Sequence, residues 1–292
     1  MDELRQRAIA LYDAFTHGPG GARDRRGFLR DMTLLAGSAA AAEALIAAIA
    51  PAAAAAAIVP ADDPRLVTRT DEWASAPGRT MRAYVARPAK GRPRAAIVVI
   101  HENRGLNDHI RDVARRVALD GFVAVAPDFL APGGGTPADA DQARTMIGQL
   151  DLARTLADAQ SAIGHAAALV PGRKAGVTGF CWGGALVLRL AVAGAPGLKA
   201  AVSYYGPAPD PAEAERVAVP VMIHLPALDT RVAATVRPFA GALMRAARPL
   251  ELHEYPGANH AFNNDSSAER YDAAAATLAW KRTIGFFRTH LG

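Results

Sequence analysis

The stretch Gly176-Val177-Thr178-Gly179-Phe180-Cys181-Trp182-Gly183-Gly184 says most about the fold and chemistry of this chain. Lys174–Thr178 predicts a strand, and Gly183–Ala193 predicts a helix that follows almost at once. A G-x-C-x-G turn at such a junction presents its central side chain on a sharp bend, where glycines let strand and helix approach closely. Cys181 is therefore predicted to be a nucleophile whose thiolate the helix N-terminus stabilises, with the Trp182 N–H as an oxyanion donor. The alternative is a glycine-rich turn with an incidental buried cysteine.

Apolar runs alternate with amphipathic segments through the rest of the chain. This alternation predicts a mostly parallel sheet covered by helices on both faces, with functional groups outside the carboxyl ends of the strands. The predicted strands are Thr80–Ala86, Ala95–Ile100, Phe122–Ala126, Lys174–Thr178, Leu198–Tyr204, Val219–His224 and Leu250–Tyr255. The predicted helices are Asp108–Leu119, Asp139–Leu169 with a break near Gly148, Gly183–Ala193, Arg237–Ala247 and Ala273–His290.

An acid and a base follow Cys181 at the ends of later strands. Asp229 comes just after Val219–His224, and His260 lies in the loop after Leu250–Tyr255. The order nucleophile, acid, histidine is typical of α/β-hydrolases, which predicts that His260 takes the thiol proton and Asp229 orients the imidazole. The alternatives are a helix-capping Asp and a surface His. The other seven histidines fit less well, and one of them, His17, lies in the N-terminal leader.

The chain resembles the dienelactone hydrolase family over most of residues 80 to 290. The resemblance is carried by the following stretches: His101-Glu102-Asn103-Arg104-Gly105-Leu106-Asn107, Ile110, Ala118-Leu119-Asp120-Gly121-Phe122, Ala126-Pro127-Asp128, Gly179-Phe180-Cys181-Trp182-Gly183-Gly184 and Gly257-Ala258-Asn259-His260-Ala261-Phe262. It implies the α/β-hydrolase fold, with Cys181, Asp229 and His260 as the triad.

Two further positions follow from this resemblance alone. Glu102 matches the family glutamate that contacts the resting thiol and controls when the thiolate forms, although a plain strand-end carboxylate is the alternative. The N–H of Asn103 would be the second oxyanion donor. The chain lacks the arginine that grips a substrate carboxylate shortly after the histidine, and the nearest one there is Arg270. Arg104 is the residue that we consider as a replacement for this anion-binding arginine. The alternative is that Arg104 is an ordinary surface residue.

Residues 1–57 are predicted to be an export signal. Arg25-Arg26, followed by Phe28-Leu29 and an Ala/Leu-rich stretch from about Met32 to Ala57, resembles a bacterial twin-arginine signal. We expect the export machinery to be a partner, the mature domain to span residues 58–292, and the protein to be periplasmic or extracellular. An uncleaved membrane anchor or a surface helix are the alternatives.

Composition narrows the classes of function. A net charge of +5 without a cluster of basic and aromatic residues argues against nucleic-acid binding. A single cysteine excludes an internal disulfide and a multi-cysteine metal site. The phosphate-loop and H-E-x-x-H motifs do not occur, so we expect no metal and no cofactor.

The leading hypothesis is a hydrolase of small esters or lactones that works through an acyl-thioenzyme. A broader carboxylesterase or thioesterase is the alternative within enzymes. From other classes we keep an exported binding protein without activity on the same scaffold and a membrane-tethered structural protein.

Overall fold

The computed structural model describes residues 3–17, 25–50, 57–93 and 95–292. Eight strands form one sheet in the order β1-β2-β4-β3-β5-β6-β7-β8. Strands β1 (Leu66–Ala76) and β2 (Arg79–Pro88) pair antiparallel, and β2 also runs antiparallel to β4. The remaining pairs are parallel, which confirms the predicted α/β-hydrolase architecture.

The parallel strands deliver their carboxyl ends to one edge of the sheet. They are β3 (Ala96–Ile100), β4 (Val123–Asp128), β5 (Ala175–Phe180), β6 (Leu198–Tyr204), β7 (Val221–Pro226) and β8 (Leu250–Tyr255). Every residue of β3 is buried, as expected for a strand covered on both faces. The predicted site residues lie in the loops after β3, β7 and β8 and at the junction between β5 and the helix that follows it.

Helices cover both faces of the sheet and enclose two large apolar clusters. On one face lie α4 (Asp108–Leu119) and α9 (Ala273–Leu291). On the other lie α6 (Leu152–Ala168), α7 (Trp182–Ala193) and α8 (Thr230–Arg245). The predicted break near Gly148 separates α5 (Ala140–Gly148) from α6.

Two elements differ from the sequence expectation. Strand β1 was not predicted, because it is an edge strand whose residues are mostly polar and partly exposed. Helix α8 begins at Thr230 instead of Arg237. The predicted helix began one residue before Pro238, but the observed helix runs through this proline. Asp229 caps this earlier start by accepting a hydrogen bond from the Val232 N–H at 3.0 Å.

Three helices precede the sheet: α1 (Glu3–His17), α2 (Arg25–Ala36) and α3 (Ala39–Ile49). They share a small apolar core of their own, which includes Ile9, Phe28 and Met32. Among the described helices none alone is long and apolar enough to span a bilayer, although α2 and α3, bent by 106°, pass that test as a pair. Most of the alanine run that we expect to precede the cleavage point lies outside the described residues.

Candidate active site

Cys181 lies on a strained turn between β5 and α7. Its backbone has φ 53° and ψ −111°, a conformation that L-residues rarely adopt. Glycines are required on both sides of the cysteine because backbone segments approach each other closely there. A Cβ on Gly183 would lie 2.5 Å from the His101 carbonyl oxygen, and a Cβ on Gly179 would lie 2.4 Å from the Gly183 carbonyl oxygen. The turn places the cysteine at the carboxyl edge of the sheet, where the residue is 4% exposed to solvent.

His260 and Asp229 form a buried pair beside Cys181. Nδ1 of His260 donates to Oδ2 of Asp229 at 2.6 Å, which leaves Nε2 directed away from the carboxylate. Burial alone would lower the pKa of His260, but the charge that Cys181 carries when ionised and the hydrogen bond to Asp229 raise it to about 10. Burial opposes ionisation of Asp229, yet the hydrogen bond and charge of His260 and the nearby Arg231 lower its pKa.

Glu102 follows β3 and lines the same cavity as Cys181. Its two oxygens accept hydrogen bonds from the Tyr205 hydroxyl at 3.2 Å and from Nδ2 of Asn264 at 2.7 Å. The carboxylate is thereby held at the cavity wall by two donors. The sequence analysis missed both donors. Their positions in the sequence could have identified both residues. Tyr205 directly follows the predicted strand Leu198–Tyr204, and Asn264 lies in the stretch after His260 where we looked for an anion-binding arginine.

The two predicted oxyanion donors flank the cysteine. Trp182 is the first residue of α7, where an N–H has no acceptor within its own helix. Its indole stacks on His101, with ring centroids 5.2 Å apart. Asn103 lines both cavities that contain Cys181, and its Nδ2 donates to the Thr16 carbonyl oxygen at 3.2 Å.

Two arginines line the cavity beside Cys181. Arg104, the candidate anion-binding residue, donates to the Tyr12 hydroxyl. Arg270 reaches the cavity as well, with its side chain 4% exposed and its Nη1 donating to Oδ1 of Asp13 at 3.2 Å. Arg270, ten residues after His260, thus lines the same cavity as Cys181 and His260.

The described part of the N-terminal segment occupies the site. Nε2 of His17, the last residue of α1, lies 3.1 Å from Cys181 Sγ, and its ring centroid is 4.5 Å from that of His260. Burial and the charge of His260 hold the pKa of His17 well below its usual range. His17 was dismissed in the sequence analysis because it falls in the leader, and nothing in its local sequence indicated this contact.

The space around the cysteine is correspondingly small on one side. The cavity shared by Cys181, His260 and Arg270 has about 10 Å³ for the centre of a water-sized molecule. A groove of about 580 Å³ includes Cys181, Trp182 and Arg231 in its lining. His17 lines both spaces.

The model of the dienelactone hydrolase family matches residues 81–291. The chain belongs to this family. It is therefore a hydrolase of the dienelactone hydrolase type, and residues 1–80 precede the matched region.

Relatives of the dienelactone hydrolase family match over nearly their whole length. A Synechocystis sp. protein provisionally named carboxymethylenebutenolidase is 34% identical over 227 residues, which is 71% of this chain and 91% of that protein. A Klebsiella pneumoniae structure, provisionally named a dienelactone hydrolase, is 30% identical with a TM-score of 0.68; the match covers 77% of this chain and 100% of that one. The structure of P91, described as a dienelactone hydrolase-like promiscuous phosphotriesterase from metagenomic libraries, is 28% identical with a TM-score of 0.70, over 78% of this chain and 100% of that one.

Proposed function

We propose that this protein hydrolyses small esters or lactones of the dienelactone type through Cys181, His260 and Asp229. The observation that carries the proposal is the 2.6 Å hydrogen bond between buried His260 and Asp229, with Cys181 on the strained turn beside them. In the family's fold these groups come from the ends of separate parallel strands. A non-catalytic binding protein would have no need of that arrangement.

The reaction has two halves. The Sγ of Cys181 attacks the carbonyl carbon while Nε2 of His260 takes the thiol proton, and the N–H groups of Asn103 and Trp182 hold the oxyanion. Collapse expels the alcohol or enol oxygen, which receives the proton from His260 and leaves an acyl-thioenzyme. Water, deprotonated by His260, then attacks the thioester and releases the acid and the thiol.

Glu102 is proposed to control the charge of the thiol. A carboxylate close to Cys181 disfavours the thiolate by like-charge repulsion. The hydrogen bonds from Tyr205 and Asn264 hold this charge at the cavity wall while no substrate is bound. A substrate that displaces either donor would change how strongly the carboxylate acts on the thiol.

The substrate is proposed to carry a carboxylate. Arg270 is buried beside Cys181, and its partner there is Asp13 of the N-terminal segment. Removal of that segment would take Asp13 away from the guanidinium and leave its Nη1 free to bind another anion beside Cys181. Arg104, paired with Tyr12 of the same segment, would provide a second donor.

Residues 1–57 are proposed to direct export by the twin-arginine route and to be removed, which leaves residues 58–292 as a periplasmic or extracellular hydrolase. Replacing both Arg25 and Arg26 by lysine should retain the full chain in the cytoplasm, as judged by fractionation and intact mass. A chain that begins near residue 58 outside the cytoplasm despite both substitutions would contradict the route. A full-length exported chain would contradict cleavage and favour an anchor.

The function is tested with protein that begins at residue 58, offered a dienelactone and a neutral aryl ester, beside Cys181→Ala. Turnover of the dienelactone, lost in Cys181→Ala, is the expected result. Turnover of the aryl ester alone would favour the broader carboxylesterase. Absence of turnover with both would leave the binding-protein alternative.

A further inference from the structure

We propose that His17, Cys181 and His260 form a binding site for one thiophilic divalent cation, Zn²⁺ in the first instance, which fastens the N-terminal segment over the cysteine. The three side chains are the only such group with clustered ligand atoms among the described residues, and their nitrogen and sulfur atoms lie within 4.8 Å of one another. The inference rests on the proposed function only in taking Cys181 as the nucleophile that the metal would silence.

The distances suit a zinc ion. Bond lengths of about 2.3 Å to sulfur and 2.0–2.1 Å to nitrogen place tetrahedral ligand atoms about 3.3–3.6 Å apart. His17 Nε2 and Cys181 Sγ are 3.1 Å apart. Since no pair exceeds 4.8 Å, side-chain shifts of at most about 1.5 Å bring all three into range.

Each imidazole has its other nitrogen already engaged. His260 Nδ1 donates to Asp229, and His17 Nδ1 lies 2.8 Å from the Thr16 hydroxyl. Such outer contacts fix the ring and turn Nε2 toward a metal. Nε2 of His260 is buried and has no hydrogen-bond partner among the described residues, so this nitrogen is directed into the group and would give up its proton on binding the metal.

The space and the charge also fit a cation with one bound water. About 10 Å³ beside Cys181 is too little for an ester but comparable to one water-sized sphere. On binding, the thiol proton leaves to solvent and a zinc–sulfur bond forms, so the cation takes the electron pair that would attack a substrate. The ion pairs Asp13–Arg270 and Asp229–Arg231 offset each other nearby, so the ionised sulfur of Cys181 is the negative charge that the cation meets.

The test uses the full chain after removal of metal with a chelator. Zn²⁺ affinity is measured by competition with a chromophoric chelator, and Co²⁺ is used to record the ligand set. One equivalent per chain and a thiolate-to-cobalt charge-transfer band are expected. His17→Asn keeps a group near Nδ1 but removes Nε2, and should weaken Zn²⁺ binding at least about tenfold. His253→Asn, on strand β8 beside Glu251, is the matched control and should bind like the parent.

Three outcomes would overturn the site. Absence of stoichiometric Zn²⁺ uptake would mean that His17 and Cys181 form a thiol–imidazole hydrogen bond only. Equal affinity of parent and His17→Asn would mean that the N-terminal segment provides no ligand. A cobalt spectrum without the thiolate band would exclude Cys181.

Ester hydrolysis, assayed separately, distinguishes this inference from the proposed function. Zn²⁺ should inhibit the parent at lower concentrations than it inhibits His17→Asn. Metal binding as predicted in the full chain, with no hydrolysis in the presence of chelator by protein that begins at residue 58, would remove the hydrolase proposal and leave the metal site. Hydrolysis without metal binding would remove the metal site and leave the hydrolase proposal.

Discussion

At the scale of single residues, conformational strain is concentrated around the cysteine. The described chain has four non-glycine residues with positive φ, and three of them are Cys181, Tyr205 and Ala261. Tyr205 donates to Glu102, and Ala261 follows His260 directly. Backbone conformations of this kind cost about 1–3 kcal/mol each and persist where the surroundings enforce them. The strain therefore lies where side chains must be aimed with accuracy.

Gly183 provides a direct test of the close approach at this turn. A Cβ there would lie 2.5 and 2.6 Å from two carbonyl oxygens, which only a backbone shift can relieve. We expect Gly183→Ala to destabilise the fold by about 1–3 kcal/mol in denaturant unfolding and to reduce ester hydrolysis. Gly285→Ala is the matched control, since a Cβ there meets nothing within 4 Å on helix α9, and it should stabilise by about 0.5–1 kcal/mol. Equal stability of the two variants would refute the packing argument.

Arg270 is predicted to separate anionic from neutral substrates. In protein that begins at residue 58, Arg270→Gln should raise KM for a carboxylate-bearing lactone by tenfold or more, a loss of about 1.4 kcal/mol. KM for a neutral aryl ester should change little, because that substrate presents no charge to the guanidinium. Steady-state kinetics with both substrates checks this. An equal change for both would assign Arg270 to structure alone.

At the scale of elements, periodicity predicted the sheet and the covering helices well. The bounds of α4, β6 and β8 agree with the prediction because each has a clear apolar pattern and a distinct end. Strand β1 lacks that pattern because it lies at the polar edge. That Cys181, Asp229 and His260 come together at one edge of the sheet was predictable, because each follows a parallel strand within a few residues. His17, Asn264 and Arg270 were not, since their positions depend on how α1 and the loop after His260 fold onto the site.

The loop after His260 is tied to helix α4 by Asp265. This carboxylate accepts from His109 Nδ1 at 2.8 Å and from Arg116, and it is 16% exposed. Burial opposes its ionisation, but these two partners lower its pKa below the usual 3.8. A lowered pKa adds stability that is present above the unfolded value and is lost as the pH falls through the folded value.

Asp265→Asn should accordingly destabilise the protein by about 1–3 kcal/mol at pH 7. The difference in Tm from the parent should shrink as the pH falls below about 4, where the unfolded carboxylate takes up its proton. The exposed Asp62→Asn serves as control and should leave Tm unchanged at either pH. A difference that stays constant from pH 7 down to about pH 2 would show that charge is not the cause.

At the scale of the whole molecule, the N-terminal helices form a unit docked on the hydrolase domain. They have their own apolar cluster, and polar contacts join them to the domain. The Ser267 hydroxyl donates to the Ile49 carbonyl at 2.6 Å, Arg5 pairs with Glu269, and Arg270 pairs with Asp13. The match to the family model begins only at residue 81, so the three N-terminal helices lie outside the part of the chain that the family shares.

Removal of this unit should activate the enzyme. Protein that begins at Ile58 lacks His17, whose Nε2 lies 3.1 Å from the sulfur where a carbonyl carbon must approach. We expect kcat/KM to exceed that of the full chain by at least about tenfold, which corresponds to a site open in fewer than about one molecule in ten. Both proteins are assayed with chelator so that metal plays no part. Equal kcat/KM would show that the N-terminal helices do not obstruct the site.

The central claim, that Cys181 carries the acyl group, is tested most directly by trapping the intermediate. Protein that begins at residue 58 is mixed with an aryl ester, quenched in acid within one turnover, and examined by intact mass and peptide mapping. The account predicts one added acyl group on the peptide that contains Cys181, and none in Cys181→Ala. Acylation of Cys181→Ala at another residue, with turnover equal to that of the parent, would contradict it.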